Sequence, residues 1–91
     1  MEQAALRFVV RGRVQGVGFR VFVAQQAHQL GVRGYARNQP DGSVEVVAVG
    51  SGQALDELAL DLQEGPPSAR VVSLQSMPIA PVPAFDDFVI R

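Results

Sequence analysis

The chain has 91 residues, 47% of them hydrophobic and 19% charged, with a formal net charge of −1 at pH 7. That length holds one domain with a single modest core, here residues 1–91, and the near-neutral balance lacks the basic footprint of a nucleic-acid binder. There is no cysteine and only one histidine, His28, so disulfides, thiolate catalysis, zinc–sulfur sites and histidine metal clusters are all excluded.

Every basic side chain is an arginine, which removes a lysine Schiff base and the lysine of a Walker A loop. The longest aliphatic run, Val46 to Val49, is far short of a membrane span. Met1-Glu2-Gln3 lacks the basic start of a secretory signal, so a cytoplasmic location away from membranes is expected. Six of the eight arginines stand before Asp41, and eight of the nine acids come after Pro40. A positive half of this kind can focus a small anion, although charges scattered over solvated faces give the same distribution.

Leu6, Phe8, Val9 and Val10 place a first strand over 6–13, with a loop from Val14 to Gly18. Phe19, Phe22, Val23, Ala27 and Leu30 recur at three- and four-residue steps and predict a helix over 19–30, stopped by Gly31. Two strands follow, over 32–39 and 43–50, joined by Pro40-Asp41-Gly42, where proline sets φ and glycine takes the left-handed position. Val44, Val46 and Ala48 alternate with Glu45, Val47 and Val49, so both faces of that strand are expected to be partly covered.

Ser51 can cap a second helix, with Asp56 and Glu57 expected near its positive end and Leu55, Leu58, Ala59 and Leu62 facing inward. Gly65-Pro66-Pro67 ends it. Val71, Val72 and Leu74 open another strand, Pro78 to Pro83 is a loop, and Phe85 to Arg91 closes as a short strand. The order β-α-β-β-α-β plus a short C-terminal strand predicts an α+β, ferredoxin-like split β-α-β fold, an antiparallel sheet with two helices on one face. The two central strands are expected to run parallel, with the first loop opening at one end of the sheet.

That loop carries the chemistry. Its glycines, Gly16 and Gly18, let successive backbone N–H groups turn into one concavity at the positive end of a helix. Arg20 falls in the first turn, where its planar fork can grip two oxygens of one phosphate. The side chain of Gln15 reads as a structural tie across the loop, and that of Phe19 as core.

Other chemistries fail on inspection. Val21 stands where a third glycine of G-x-G-x-x-G belongs. No G-x-S-x-G elbow accompanies His28, which reads as a helix-surface residue. Asp86 and Asp87, adjacent on a strand, should point to opposite faces. Arg33-Gly34-Tyr35-Ala36 matches the start of an RNA-binding signature, then breaks at Arg37 and Asn38.

Together the blocks resemble acylphosphatase over nearly the whole chain. Gly12 to Arg20 follows that family's G-x-V-Q-G-V-x-F-R. Leu30 to Asn38, continued by Asp41-Gly42-Ser43-Val44-Glu45, resembles its L-G-L-x-G-W-V-x-N-x-x-D-G-x-V-E. Gly65-Pro66 and the ending Phe88 to Arg91 are looser matches. Tyr35 stands where tryptophan is frequent and Ala36 where valine is frequent, departures that bear on packing beside the hairpin.

The resemblance implies hydrolysis of a small-molecule acyl phosphate to carboxylate and inorganic phosphate, without metal or other cofactor, by a monomer. Arg20 would be the catalytic arginine, Asn38 would position the attacking water, and phosphate or sulfate would sit against the N–H groups from Gln15 to Arg20. Acylphosphatase-like domains also begin hydrogenase-maturation proteins, but both ends here read as complete, so a stand-alone domain is expected. Two rival readings are a non-catalytic anion-binding regulatory module and an RNA-binding domain. Acyl phosphate turnover separates the first, and salt-dependent binding of single-stranded RNA the second.

Overall fold

Alternation along the first strand decides the two faces of the sheet. In β1 (Ala4–Arg13), Phe8 and Val10 are fully buried on one face and Arg7 stands on the other. A computed structural model, which describes residues 2–91, continues with α1 (Phe19–Leu30), β2 (Arg33–Asn38), β3 (Val44–Gly50), α2 (Gly52–Glu64), β4 (Arg70–Pro78) and β5 (Phe88–Ile90). The strands form one sheet in the order β4-β1-β3-β2-β5. With two helices this is the expected ferredoxin-like plan.

Both helices cover the face that carries Phe8 and Val10. Val44, Val46 and Ala48 of β3 join them in a core closed by Phe19, Val23 and Ala27 of α1 and Leu55, Leu58 and Leu62 of α2. The four-residue steps in α1 set three of its side chains in one row, as an amphipathic helix on a sheet requires. Gly31 ends α1 at φ 70°, and Ser51 caps α2 by accepting from the Ala54 N–H at 3.1 Å. α2 starts at Gly52, so Asp56 and Glu57 fall beyond its first turn, which holds no acid; the expected dipole pairing there is not made.

The central strands correct another expectation. β1 and β3 are antiparallel, with Phe8 opposite Val46; the parallel pair is β2 with β5 at the sheet edge. Helix one lifts the chain over β3, which then fills the gap between β1 and β2 as a hairpin partner of β2. β4 is longer than expected because Pro78 still pairs with Leu6. β5 is shorter: Asp86 and Asp87 precede it and do not alternate across a strand. Instead Asp87 accepts from the Phe88 N–H through its carboxylate and from the Gly34 N–H through its carbonyl.

Every residue of β3 is buried, although helices cover only one face. On the other face the segment 79–87 passes from the β4 edge to the β5 edge. It is pinned by the Ile79 N–H to the Ala5 carbonyl at 3.0 Å, and by Phe85, whose ring meets Tyr35 edge-on at 6.0 Å. Glu45 is buried on this face, and a buried carboxylate must be paired. It accepts from Arg7 Nε at 2.6 Å and from the Tyr35 hydroxyl at 3.1 Å, and it forms an ion pair with Arg37 Nη2 at 2.9 Å. Burial pushes its carboxyl up, but the bonds from Arg7 and Tyr35 and the Arg37 charge outweigh that and hold it below the ordinary range. Three strands are thereby fastened around one charge. Among the described residues no helix is long and apolar enough to cross a membrane.

Candidate active site

The loop between β1 and α1 and the end of β2 meet at one end of the sheet. Gly16 and Gly18 both hold left-handed backbone, at φ 72° and 78°, where any other residue is strained. Gly18 is the N-cap of α1, no side chain caps that helix, and its first turn holds no acid. The N–H groups of the first turn therefore keep their donors free of the helix, at its positive end.

A concavity of about 90 Å³ lies there, lined by Val14, Gly16, Gly18, Phe19, Arg20, Val21, Asn38 and Ile90. The fold thus brings together Arg20 and Asn38, which belong to different elements. Gln15 and Val17 do not line it. Gln15 instead reaches sideways, and its Nε2 donates to the carbonyls of Gln39 at 2.8 Å and Ser43 at 2.9 Å. The expected tie is real, and its partners are the two ends of the β2–β3 turn that begins just after Asn38. The Val17 carbonyl accepts from Ser68 Oγ at 2.8 Å, and Phe19 is 1% exposed, in the core.

Arg20 Nη1 donates to the carbonyl of Arg91 at 2.8 Å. A guanidinium has five donors, so four remain for a ligand. Asn38 Oδ1 is buried and has no protein hydrogen-bond partner among the described residues. Buried acceptors are nearly always satisfied, and one left over in a concavity marks the place of a ligand or water. The turn that carries Asn38 is itself rigid. Asp41 accepts from the hydroxyl and N–H of Ser43 and from Arg11 at 2.9 Å, and these hold its carboxyl far below the ordinary range.

The remaining candidates fall elsewhere. His28 is half exposed on α1, its Nε2 at 3.2 Å from the Phe88 carbonyl and 3.4 Å from Asp87, with no serine beside it. Tyr35 lies on the far face of the sheet, its ring covered by the Arg91 guanidinium at 4.1 Å. Among the described residues no three His, Asp or Glu side chains converge as a metal site would need. Sequence reasoning missed Ile90, Val21, Ser68 and the Arg91 carbonyl. Val21 adjoins Arg20 on α1, the other three arrive by tertiary packing, and none carries a local signal.

The family model for acylphosphatase matches residues 6–90. An acylphosphatase of Xanthomonas euvesicatoria pv. vesicatoria is 54% identical over 85 residues, covering 93% of this chain and 96% of its own. The acylphosphatase structure from Coxiella burnetii superposes with a TM-score of 0.93 at 36% identity, covering 98% of this chain and 93% of that one. The one from Bacillus subtilis gives 0.93 at 33% identity, over 97% and 98%. Motif, fold and relatives coincide: the chain belongs to the acylphosphatase family.

Proposed function

We propose that this protein hydrolyses the carboxyl–phosphate anhydride of acyl phosphates, with Arg20 and Asn38 as its catalytic side chains. Asn38, which lines the concavity with Arg20 and whose buried Oδ1 has no partner among the described residues, carries this reading. A water that donates one proton to that oxygen keeps a lone pair for phosphorus. Its oxygen forms the new P–O bond as the bond to the acyl oxygen breaks, and the electron pair leaves with the carboxylate. The water's second proton passes to a phosphoryl oxygen, and orthophosphate is released.

Charge in the transition state spreads over the three equatorial phosphoryl oxygens. The N–H groups from Gln15 to Arg20 and the free donors of Arg20 supply the compensating positive ends. A carboxylate leaves easily because its conjugate acid has a pKa of about 4, so no general acid is required. That chemistry explains how a site with one charged side chain suffices, and it calls for no metal. On the same reading the chain acts as a single-domain monomer over 1–91. A cysteine-free sequence, which needs no oxidising compartment, supports a cytoplasmic setting.

The test is acetyl phosphate turnover by the purified protein and by Arg20→Ala and Asn38→Ala. Each substitution is expected to lower kcat by at least about 10²-fold, the scale of one preorganised stabilising group. Arg20→Ala is also expected to lose competitive inhibition by orthophosphate, whereas Asn38→Ala keeps it. Near-wild-type turnover in either folded variant removes its assigned role, and activity that requires added metal removes the mechanism.

A further inference from the structure

We propose that Val21 and Ile90 form a seat for the acyl group and make this enzyme prefer acyl phosphates with an apolar acyl body larger than acetyl. The inference rests on the reading of the cradle just given and adds what the far end of the substrate touches.

Size is the first argument. Pockets that bury most of a drug-sized ligand run from about 300 to 1,000 Å³, and this concavity measures about 90 Å³. It accommodates a phosphoryl group and its water, so whatever is bonded to the phosphoryl oxygen must emerge at the mouth. Val21 and Ile90 belong to the lining, yet they are 51% and 45% exposed. Arg20, the one charged residue of the lining, is committed to the phosphoryl end.

Their identity is the second argument, since neither serves the core. The buried residues of α1 are Phe19, Val23, Ala24 and Ala27, and Val21 lies off that row on the solvent side. A β-branched residue there lowers helix propensity and still leaves half of its surface open to solvent. Phe88 and Ile90 share a face of β5, but Phe88 is 3% exposed and Ile90 is left open at the sheet edge. Two large aliphatic side chains from separate elements thus converge on the one opening through which an acyl group must pass.

The experiment compares kcat/KM for benzoyl phosphate and acetyl phosphate in the wild type, Val21→Ser, Ile90→Ser and the more conservative Val21→Thr. Leu60→Ser serves as control, because Leu60 is 67% exposed on α2 and does not line the site. The benzoyl-to-acetyl ratio is expected to fall by about three- to tenfold in each site variant, below the full value of a closed hydrophobic pocket, and to hold in the control. Ratios that stay within about twofold of wild type in all three site variants overturn the acyl seat and leave the phosphoryl chemistry standing. A wild-type protein that turns over neither substrate overturns the underlying reading instead.

Discussion

Gln15→Ala isolates the tie between the two halves of the site. The Gln15 amide spends both N–H donors on the carbonyls of Gln39 and Ser43. Truncation removes two neutral hydrogen bonds, each contributing about 1 kcal/mol net. Neither acceptor is orphaned: the Gln39 carbonyl keeps the Gly42 N–H at 3.1 Å, and the Ser43 carbonyl keeps the Gln39 N–H at 2.8 Å. No desolvation penalty is added, so the loss is about 1–2 kcal/mol, or roughly 5–15 °C in Tm for a domain of this size. The catalytic consequence is larger than the thermal one. Arg20 and the N–H groups sit on the Gln15 side of the tie and Asn38 on the other, so releasing it lets water and phosphorus drift apart. A misplacement of about 1 Å costs up to about 10²-fold in rate. At 25 °C, where the variant stays folded, kcat for acetyl phosphate is expected to fall about 10- to 100-fold. The inhibition constant for orthophosphate should move less than about threefold, since the phosphate grip lies wholly on one side. Thermal unfolding and steady-state kinetics on the same preparation decide it. An unchanged kcat beside the lowered Tm would show that the bonds stabilise without aligning anything. An unchanged Tm would show that the bonds contribute nothing.

Gly18→Ala puts a Cβ on backbone at φ 78° and is expected to cost about 1–2 kcal/mol in denaturant unfolding, with a loss of turnover as the cradle shifts. Glu45→Gln leaves Arg7 and Arg37 facing a neutral group. Because both arginines are partly solvated, the cost should be about 1–3 kcal/mol, below that of a fully buried pair. Glu45 and Asp41 both have folded-state pKa values below their ordinary ones. Their contribution is therefore present in full above about pH 4.5 and is lost as the pH falls towards the folded values. Urea midpoints at pH 6 and pH 3 should differ less in Glu45→Gln than in the wild type; an equal difference rules out Glu45 as a source of acid lability.

The parts of the site that were legible in the sequence are those whose signal is local. Glycines at 16 and 18 announce left-handed turns, Arg20 follows them into a helix, and Pro40-Asp41-Gly42 places Asn38 beside a hairpin turn. The order of elements then sufficed for the fold class. Strand direction was not local. The expectation that β1 and β3 run parallel failed because a crossover helix makes β1 parallel to β2, and the strand that comes between them is set by the hairpin. Phe85 was assigned to a strand because apolar alternation cannot tell a strand from a strap that packs an aromatic ring on Tyr35. Ser51 was read correctly as the cap of α2, but Asp56 and Glu57 lie beyond the first turn that follows it, so their expected pairing with the helix dipole is not made. The orphaned Asn38 oxygen, the Gln15 bridge to two main-chain carbonyls and the exposed Ile90 are facts of packing alone.

All three ties of the site lead to the β2 hairpin, which explains how the family departures at Tyr35 and Ala36 fit a working geometry. Asn38 ends β2, and the loop is fastened to the turn after it by Gln15. Arg20 is fastened through Arg91, whose carbonyl takes the guanidinium and whose N–H donates to the Ala36 carbonyl at 2.9 Å. Ala36 contributes only main chain to this bond, so the small side chain there forfeits nothing in it. The guanidinium of Arg91 rests on the Tyr35 ring, and any aromatic face at that position can carry a cation. The Tyr35 hydroxyl adds a hydrogen bond accepted by the buried Glu45. Cradle, guanidinium and carboxamide are thus registered against a single strand, and that strand is clamped to β1 and β3 by the Glu45 charge on its far side. Catalysis that depends on placing donors and a water requires a common rigid reference of this kind.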